Sequence, residues 1–180
     1  MGEAPVEELV KVEVENYRVT ASDSGSVGWL ASRGFGYEYD GARVLYPYEV
    51  LYLLSIGKLR TESGGALKEP GSFEEFLAEY KSSDKLIWTR YLIYRDLRSR
   101  GYVVREGYGF NIDFRVYERG EYGSHTSKYL IYGICEGEPV KFSVLSELIK
   151  RVQSLRKTLI LAVVDRRSEV VYYTVSKLNS

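Results

Sequence analysis

The chain contains a single histidine, His125, within the polar stretch YGSHTSKY (122–129). Imidazole can donate or accept a proton near neutral pH, because its unperturbed pKa is about 6.5. A segment of Gly, Ser, Thr and Lys is not typical of a core, so it predicts an exposed loop where a general acid or base could face a substrate. The alternative is that His125 is an ordinary solvated residue.

Other kinds of catalytic site find little support in the sequence. One cysteine, Cys135, and one histidine do not make a cysteine-rich zinc site or a clustered catalytic metal site. The chain has no G-x-S-x-G nucleophile elbow and no glycine-rich phosphate loop. The Glu-x-Lys pattern of metal-dependent nucleases occurs once, at EYK (79–81), inside a predicted helix. We therefore expect neither a metal nor another cofactor.

Charge is distributed unevenly along the chain. Residues 1–84 contain 8 Lys and Arg against 15 Asp and Glu, whereas residues 85–180 contain 17 against 10. The net charges are −7 and +7, so the basic part indicates an acidic partner, with nucleic acid as the first candidate. The alternative is that the acidic part docks on the basic part, within one chain or between subunits.

RNA suits a site that is built around one histidine, because RNA carries its own nucleophile, the 2′-hydroxyl group. Cleavage then needs a base for the hydroxyl proton, an acid for the leaving 5′-oxygen and a cation for the phosphate. The basic part offers His125, the tyrosines around DFRVYERGEYG (113–123), and Lys157 at a predicted helix-to-strand junction.

The elements that must position these residues form an α+β pattern. We predict a small N-terminal α/β domain over residues 1–83, followed by a C-terminal domain over residues 84–180 with a mixed β-sheet flanked by helices. Helical patterns cover 27–34, 47–57, 72–81, 84–100 and 143–157. Strand patterns cover 9–20, 41–46, 102–106, 110–117, 128–136, 158–165 and 169–178, and residues 60–71 are predicted as a loop.

Local signals bound several of these elements. Ser72 with Glu75 forms a capping box, and Ser143 is the expected N-cap of the last helix. The fully apolar strand TLILAVVD (158–165) is expected inside the sheet, and EVVYYTV (169–175) is a plausible dimerisation edge.

Three motifs follow one another in the C-terminal part: D-F-x-V-Y (113–117), H-x-x-x-Y-L (125–130) and R-K-x-x-x-x-A-V-V-D (156–165). Together they resemble the catalytic domain of the archaeal tRNA-splicing (tRNA-intron) endonucleases, and the combination is far more specific than any one motif. The resemblance covers nearly all of residues 84–178. The segment YEVLYLLSIGKL (48–59) is similar to the smaller N-terminal domain of the same family.

The resemblance implies cleavage of precursor tRNA at both exon–intron junctions, in a bulge–helix–bulge RNA and without a metal. The products would carry 2′,3′-cyclic phosphate and 5′-hydroxyl ends. Carried over by position, Tyr117 is the general base, His125 the general acid, and Lys157 the cation that steadies the phosphate. Tyr122 is the alternative base, and Lys157 could instead complement a helix dipole. A tyrosine base needs its pKa, ordinarily about 10, lowered by nearby Arg or Lys.

The family also holds a flipped bulge base between paired cations, and the resemblance extends only partly to this clamp. One cation matches Lys150 or Arg151 on the last predicted helix. The other falls near Tyr172, which can stack but has no charge, so Arg166 or Arg167 could substitute. We therefore expect Lys150, Arg151 and Tyr172 to bind RNA.

Two bulges need two active sites, whereas a chain of this length carries one set of catalytic residues. The resemblance therefore implies a homo-oligomer or an α2β2 heterotetramer with a structural subunit. In the family the loop after AVVD is often acidic and enters a basic cleft of another subunit, but here it reads DRRSE (165–169). This loop favours the α2β2 form with the present chain as catalytic subunit. The alternatives are a non-catalytic RNA-binding or structural subunit and a metal-dependent nuclease.

The remaining composition bears on the compartment and the source. No apolar run approaches the roughly 18–20 residues of a membrane span, and the acidic N-terminus lacks a signal-peptide core. We therefore expect a cytoplasmic protein without membrane association. One Cys, one Met and many charges favour a thermophilic source.

Overall fold

The computed structural model describes residues 9–63 and 65–176. The chain divides into two compact units, with the division between Ile87 and Trp88. Each unit contains both helices and strands, so the predicted α+β class is confirmed.

The first unit contains three helices and two small sheets among its described residues. In chain order its elements are β1 (Val10–Lys11), β2 (Glu13–Glu15), β3 (Arg18–Ala21), α1 (Ser24–Ser32), β4 (Tyr37–Tyr39), β5 (Ala42–Val44), α2 (Pro47–Ser55), β6 (Leu59–Ser63), β7 (Ala66–Lys68) and α3 (Phe73–Ser83). One sheet has the order β1-β6-β7, with β1 parallel to β6. The other is antiparallel and has the order β2-β3-β5-β4.

Two predictions in the first unit are wrong, because the chain reverses where a single segment was expected. The predicted strand over 9–20 contains a turn at Asn16 and Tyr17, whose φ angles are 48° and 61°, so that β3 pairs back onto β2. The predicted loop over 60–71 contains the β6–β7 hairpin.

The second unit is built on one mixed sheet. Its elements are α4 (Ile87–Ser99), β8 (Val103–Gly109), β9 (Ile112–Tyr117), β10 (Tyr129–Cys135), α5 (Phe142–Ser154), β11 (Thr158–Val164) and β12 (Val170–Val175). The strand order is β12-β11-β10-β9-β8, in which β10 and β11 are parallel and the other neighbours are antiparallel. As predicted, β11 lies inside this sheet, and β12 is an edge strand.

The helices α4 and α5 cover opposite faces of the sheet. On one face, α5 buries Leu148 and Val152 against the sheet; the cluster's other buried members are Ile112, Leu130 and Leu159. On the other face, α4 approaches so closely that a Cβ added at Gly133 would lie 2.6 Å from the Cδ1 atom of Ile93. The predicted mixed sheet flanked by helices is therefore confirmed.

The helix starts follow the sequence signals in part. The capping box of α3 is confirmed, because Glu75 N donates to Ser72 Oγ at 3.2 Å and Ser72 N donates to Glu75 Oε2 at 2.9 Å. The predicted N-cap of α5, Ser143, is wrong: the helix begins one residue earlier, and its N-cap Lys141 makes no side-chain capping bond. None of the helices in the described ranges is long and apolar enough to cross a membrane.

The core between α5 and the sheet gives a stability prediction. Leu130 is fully buried in it, so Leu130→Ala should lower the free energy of unfolding by about 2–5 kcal/mol. The matched control is Leu86→Ala at a 45% exposed leucine, where we expect about 0.5 kcal/mol or less. Urea unfolding followed by circular dichroism measures both, and equal losses would contradict the assignment of Leu130 to the core.

Candidate active site

Three neighbouring strands meet at one end of the sheet in the second unit. Val116 of β9 pairs with Tyr129, the first residue of β10, and Tyr129 pairs with Thr158, the first residue of β11. Tyr117 and Lys157 each lie one residue beyond this row. Their Cα atoms are therefore about two strand spacings, or roughly 10 Å, apart, although they are distant in the sequence.

Tyr117 and Lys157 also share the α5 face of the sheet. Side chains alternate between the two faces along a strand. Phe114 contacts Tyr94 of α4, with ring centroids 5.9 Å apart, so Tyr117, three residues later, points to the opposite face. Leu159 belongs to the α5 core, and Lys157, two residues before it, points the same way. The register thus brings a phenol and an ammonium group to one side of one sheet end.

The loop over residues 118–128 joins β9 to β10 and is closed at its base. Glu118 Oε1 accepts hydrogen bonds from Lys128 Nζ at 2.6 Å and from the Tyr129 hydroxyl at 2.9 Å. These bonds hold the pKa of Glu118 below its usual value, with the Lys128 bond as the larger cause. The two ends of the loop are therefore tied together at the sheet end that carries Tyr117.

His125 is exposed on this loop, as predicted, but its backbone is held. His125 N donates to Glu121 O at 2.9 Å, and a bridge links His125 to Tyr122. The Nδ1 atom lies 3.0 Å from Ser124 Oγ. This contact occupies Nδ1, so Nε2 is the ring nitrogen that remains for another partner.

The two candidate bases are neighbours. The rings of Tyr117 and Tyr122 meet edge to face, with centroids 5.1 Å apart and an interplanar angle of 87°. Tyr117 therefore adjoins the loop that carries Tyr122 and His125, and both tyrosines stay candidates for the base.

Lys157 contacts the same loop near its C-terminal end. Its ammonium group donates to the carbonyl oxygen of Ser127 and, at 3.1 Å, to Ser127 Oγ. Ser127 is only 3% exposed. Lys157 is thus anchored to the segment that follows His125 by two residues, and a role limited to the dipole of α5 does not account for these contacts.

Tyr108 is a further member of this cluster that sequence reasoning missed. It lies in an irregular part of β8, and the guanidinium of Arg115 is 4.7 Å from the centroid of its ring. Burial raises the pKa of Tyr108, but contacts with Arg115 and Ser127 and the charges of Arg115 and Lys157 outweigh burial and leave it below its usual value. No local signal could have found Tyr108, because its partners are distant in the sequence: Arg115 lies on β9, Ser127 just before β10 and Lys157 just before β11.

The chemical groups at this end of the sheet are phenols, an imidazole and ammonium and guanidinium groups. Across residues 9–63 and 65–176, no three His, Cys, Asp or Glu side chains come together as a set that could hold a metal ion. Cys135 is partly buried, with Sγ 2.9 Å from Thr89 Oγ1. The cluster can move protons and stabilise an anion.

Comparison with known proteins shows the family to which this chain belongs. The family model for the catalytic C-terminal domain of tRNA intron endonucleases matches residues 87–172. Proteins named tRNA-splicing endonuclease from Methanococcus maripaludis and Methanococcus vannielii are each 32% identical to this chain over 177 residues, which cover 97% of it and 98% of the relative. The chain belongs to the tRNA-splicing endonucleases. The relative from Thermococcus kodakarensis is 33% identical over 159 residues, covering 88% of this chain and 92% of its own.

In this tRNA-splicing endonuclease, two of the expected RNA-binding residues lie on α5. Lys150 is exposed, and the guanidinium of Arg151 stacks 3.6 Å from the centroid of Phe110. Phe110, which sequence reasoning missed, is 67% exposed and lies in the turn between β8 and β9. Arg151 and Phe110 thus present a cation and an aromatic ring together.

Tyr172 is not brought to this surface within the chain. Its hydroxyl donates to Asp96 Oδ2 on α4 at 2.7 Å, and it lines a cavity on the α4 face. Burial and the bond to Asp96 raise the pKa of Tyr172 above its usual value. Arg166 and Arg167 follow β11, one strand length of about 23 Å from Lys157. Of the residues considered for the base clamp, Lys150 and Arg151 therefore lie on α5, and Tyr172, Arg166 and Arg167 do not.

The cluster predicts how Tyr108 titrates. The Tyr108 hydroxyl should ionise below the ordinary tyrosine pKa of about 10, and Arg115→Met should raise its pKa by removing a nearby positive charge. The matched control is Arg119→Met, because Arg119 lies over Tyr102 instead. NMR of protein labelled with ¹³C at tyrosine Cζ measures the titration, with Tyr108→Phe assigning the resonance. A pKa of 10 or higher in the unchanged protein would contradict the description.

Proposed function

We propose that this chain cleaves precursor tRNA at exon–intron junctions, in a bulge–helix–bulge RNA, by metal-independent attack of the 2′-hydroxyl group. The observation that carries the proposal is the meeting of Tyr117, the His125 loop and Lys157 at one end of the sheet. Membership in the tRNA-splicing endonucleases supports tRNA as the substrate.

The proposed reaction uses one proton acceptor, one proton donor and one fixed cation. Tyr117, acting in its phenolate form, accepts the proton of the 2′-hydroxyl and becomes a neutral phenol, and the 2′-oxygen attacks the adjacent phosphorus. The bond from phosphorus to the 5′-oxygen breaks as His125 Nε2–H protonates that oxygen, and Lys157 donates to a non-bridging phosphate oxygen. The products are a 2′,3′-cyclic phosphate and a 5′-hydroxyl. Tyr122 is the second candidate for the base because its ring contacts Tyr117.

We further propose that the catalytic work belongs to residues 84–180 and that residues 1–83 serve assembly. Two cleavage sites in one RNA call for at least two catalytic chains. The basic loop DRRSE (165–169) favours an α2β2 assembly, in which a structural subunit supplies the acidic loop, over a homo-oligomer. The cytoplasm, the compartment expected from the sequence, stays a prediction.

The first experiment is cleavage of a bulge–helix–bulge RNA in EDTA, with analysis of the new ends. We expect a 2′,3′-cyclic phosphate, and no cleavage where the nucleotide before the scissile bond is 2′-deoxy. His125→Ala should slow cleavage by about 10²–10⁴-fold, because one positioned acid contributes about that much, while RNA affinity stays nearly unchanged. Thr126→Ala, at the exposed neighbour, is the control.

The outcomes separate the proposal from its rivals. Cleavage that stops in EDTA, or that continues on the 2′-deoxy RNA, would identify a metal-dependent nuclease instead. RNA binding without cleavage, with or without a candidate structural subunit, would identify a non-catalytic subunit. Cleavage by the chain alone would identify a homo-oligomer, and cleavage only with the added subunit would support the α2β2 form.

The stacked pair on α5 gives a prediction for RNA binding. Arg151→Gln should weaken binding of an uncleavable RNA, with 2′-deoxy nucleotides before both scissile bonds. It should also reduce the slope of log affinity against log salt by about 0.7–0.9, as expected for one lost phosphate contact. The control is Arg95→Gln on α4, where the guanidinium lies 5.5 Å from the ring of Tyr91. Equal affinities and slopes in the two variants would remove Arg151 from the RNA-binding surface.

A further inference from the structure

The ammonium group of Lys157 donates hydrogen bonds to the chain itself as well as, in the proposed reaction, to the phosphate. An ammonium group carries three N–H donors and no acceptor. Lys157 donates to the carbonyl oxygen of Ser127 and, at 3.1 Å, to Ser127 Oγ. Within the described chain, these two contacts leave one N–H for a substrate oxygen. The direction of that N–H depends on Ser127.

Ser127 is itself held between two strands. The next residue, Lys128, donates its backbone N–H to Val116 O of β9 at 3.0 Å and accepts a bond from Thr158 N of β11 at 3.1 Å. Ser127 is one of the few buried polar residues, at 3% exposure. Its carbonyl and hydroxyl oxygens therefore have fixed positions at the end of the loop that carries His125. Ser127 thus connects the loop of the proposed acid to Lys157, the proposed cation.

Tyr108 of β8 lies beside Ser127 and close enough to Lys157 to feel its charge. The irregular register between Glu106 and Gly109 lets β8 turn the Tyr108 side chain toward the cluster, a common use of bulges near active sites. Arg115 covers the ring at 4.7 Å and is anchored by a 2.8 Å bond from its Nε to Glu106 O. The Tyr108 side chain also contacts the Ser127 hydroxyl. Because Ser127 Oγ already accepts a bond from Lys157, its own proton is available to the Tyr108 oxygen.

We propose that Ser127 and Tyr108 are positioning residues for Lys157, with Ser127 holding the ammonium group and Tyr108 orienting the Ser127 hydroxyl. The inference rests on the proposed function, in which Lys157 contacts the reacting phosphate. Neither residue touches the reacting atoms. Their effect on the reaction passes through the direction of the remaining Lys157 N–H.

The test is a set of double-mutant cycles on single-turnover cleavage of the same bulge–helix–bulge RNA. Ser127→Ala should reduce the rate constant by about 10–100-fold, the scale of a small misplacement of a catalytic group, with RNA affinity unchanged. Tyr108→Phe, at a 47% exposed residue where folding is not at risk, should reduce it by a few-fold. In a Lys157→Ala background, neither substitution should slow the reaction further. Thr126→Ala is the control for loss of a hydroxyl group from the same loop.

The outcomes distinguish this inference from the proposed function. If Lys157→Ala cleaves at the full rate, the proposed role of Lys157 fails, and the inference fails with it. If Lys157→Ala is slow while Ser127→Ala and Tyr108→Phe are fast, only the positioning role is overturned. The positioning role would also be overturned if Ser127→Ala and Tyr108→Phe slowed the Lys157→Ala variant by the same factors as they slow the unchanged protein. The two residues would then act independently of Lys157.

Discussion

The parallel pairing of β10 with β11 is the constraint on which the proposed site depends. Parallel neighbours start at the same end of a sheet and need a crossover connection, which α5 supplies here. The first residue of β10 therefore lies beside the first residue of β11, and antiparallel β9 ends at the same place. Lys157 lies at this end because β11 begins there, and Tyr117 lies there because β9 ends there. An antiparallel pairing of β10 and β11 would send Lys157 to the far end of the sheet.

The apolar face of α5 stabilises that pairing. Leu148 and Val152 of the helix are buried with Leu130 and Leu159 of the two parallel strands, and each such side chain contributes about 1.5–3 kcal/mol when it leaves water. The opposite edge of the helix carries Lys150 and Arg151. One helix thus holds the strand register through its apolar side and presents positive charge on its polar side.

The loop over residues 118–128 gives His125, the proposed acid, both exposure and a fixed position. His125 is exposed, but the loop is closed by the contacts of Glu118 and attached to both neighbouring strands through Lys128. Ser127 lies between these features and is buried. Within four residues, Ser124 contacts the imidazole, His125 is exposed, and Ser127 contacts Lys157.

Local sequence signals determined the features that depend on neighbouring residues, such as the capping box of α3, the apolar interior strand β11 and the exposure of the loop around His125. The three motifs determined the family, because their combination is specific even when each motif is not. Only the tertiary structure decided that residues 9–20 fold back as a hairpin and that Tyr172 faces α4. It also decided that Tyr108 and Ser127 converge on Lys157. These outcomes depend on strand register and on contacts between residues far apart in the chain, which local periodicity and capping do not encode.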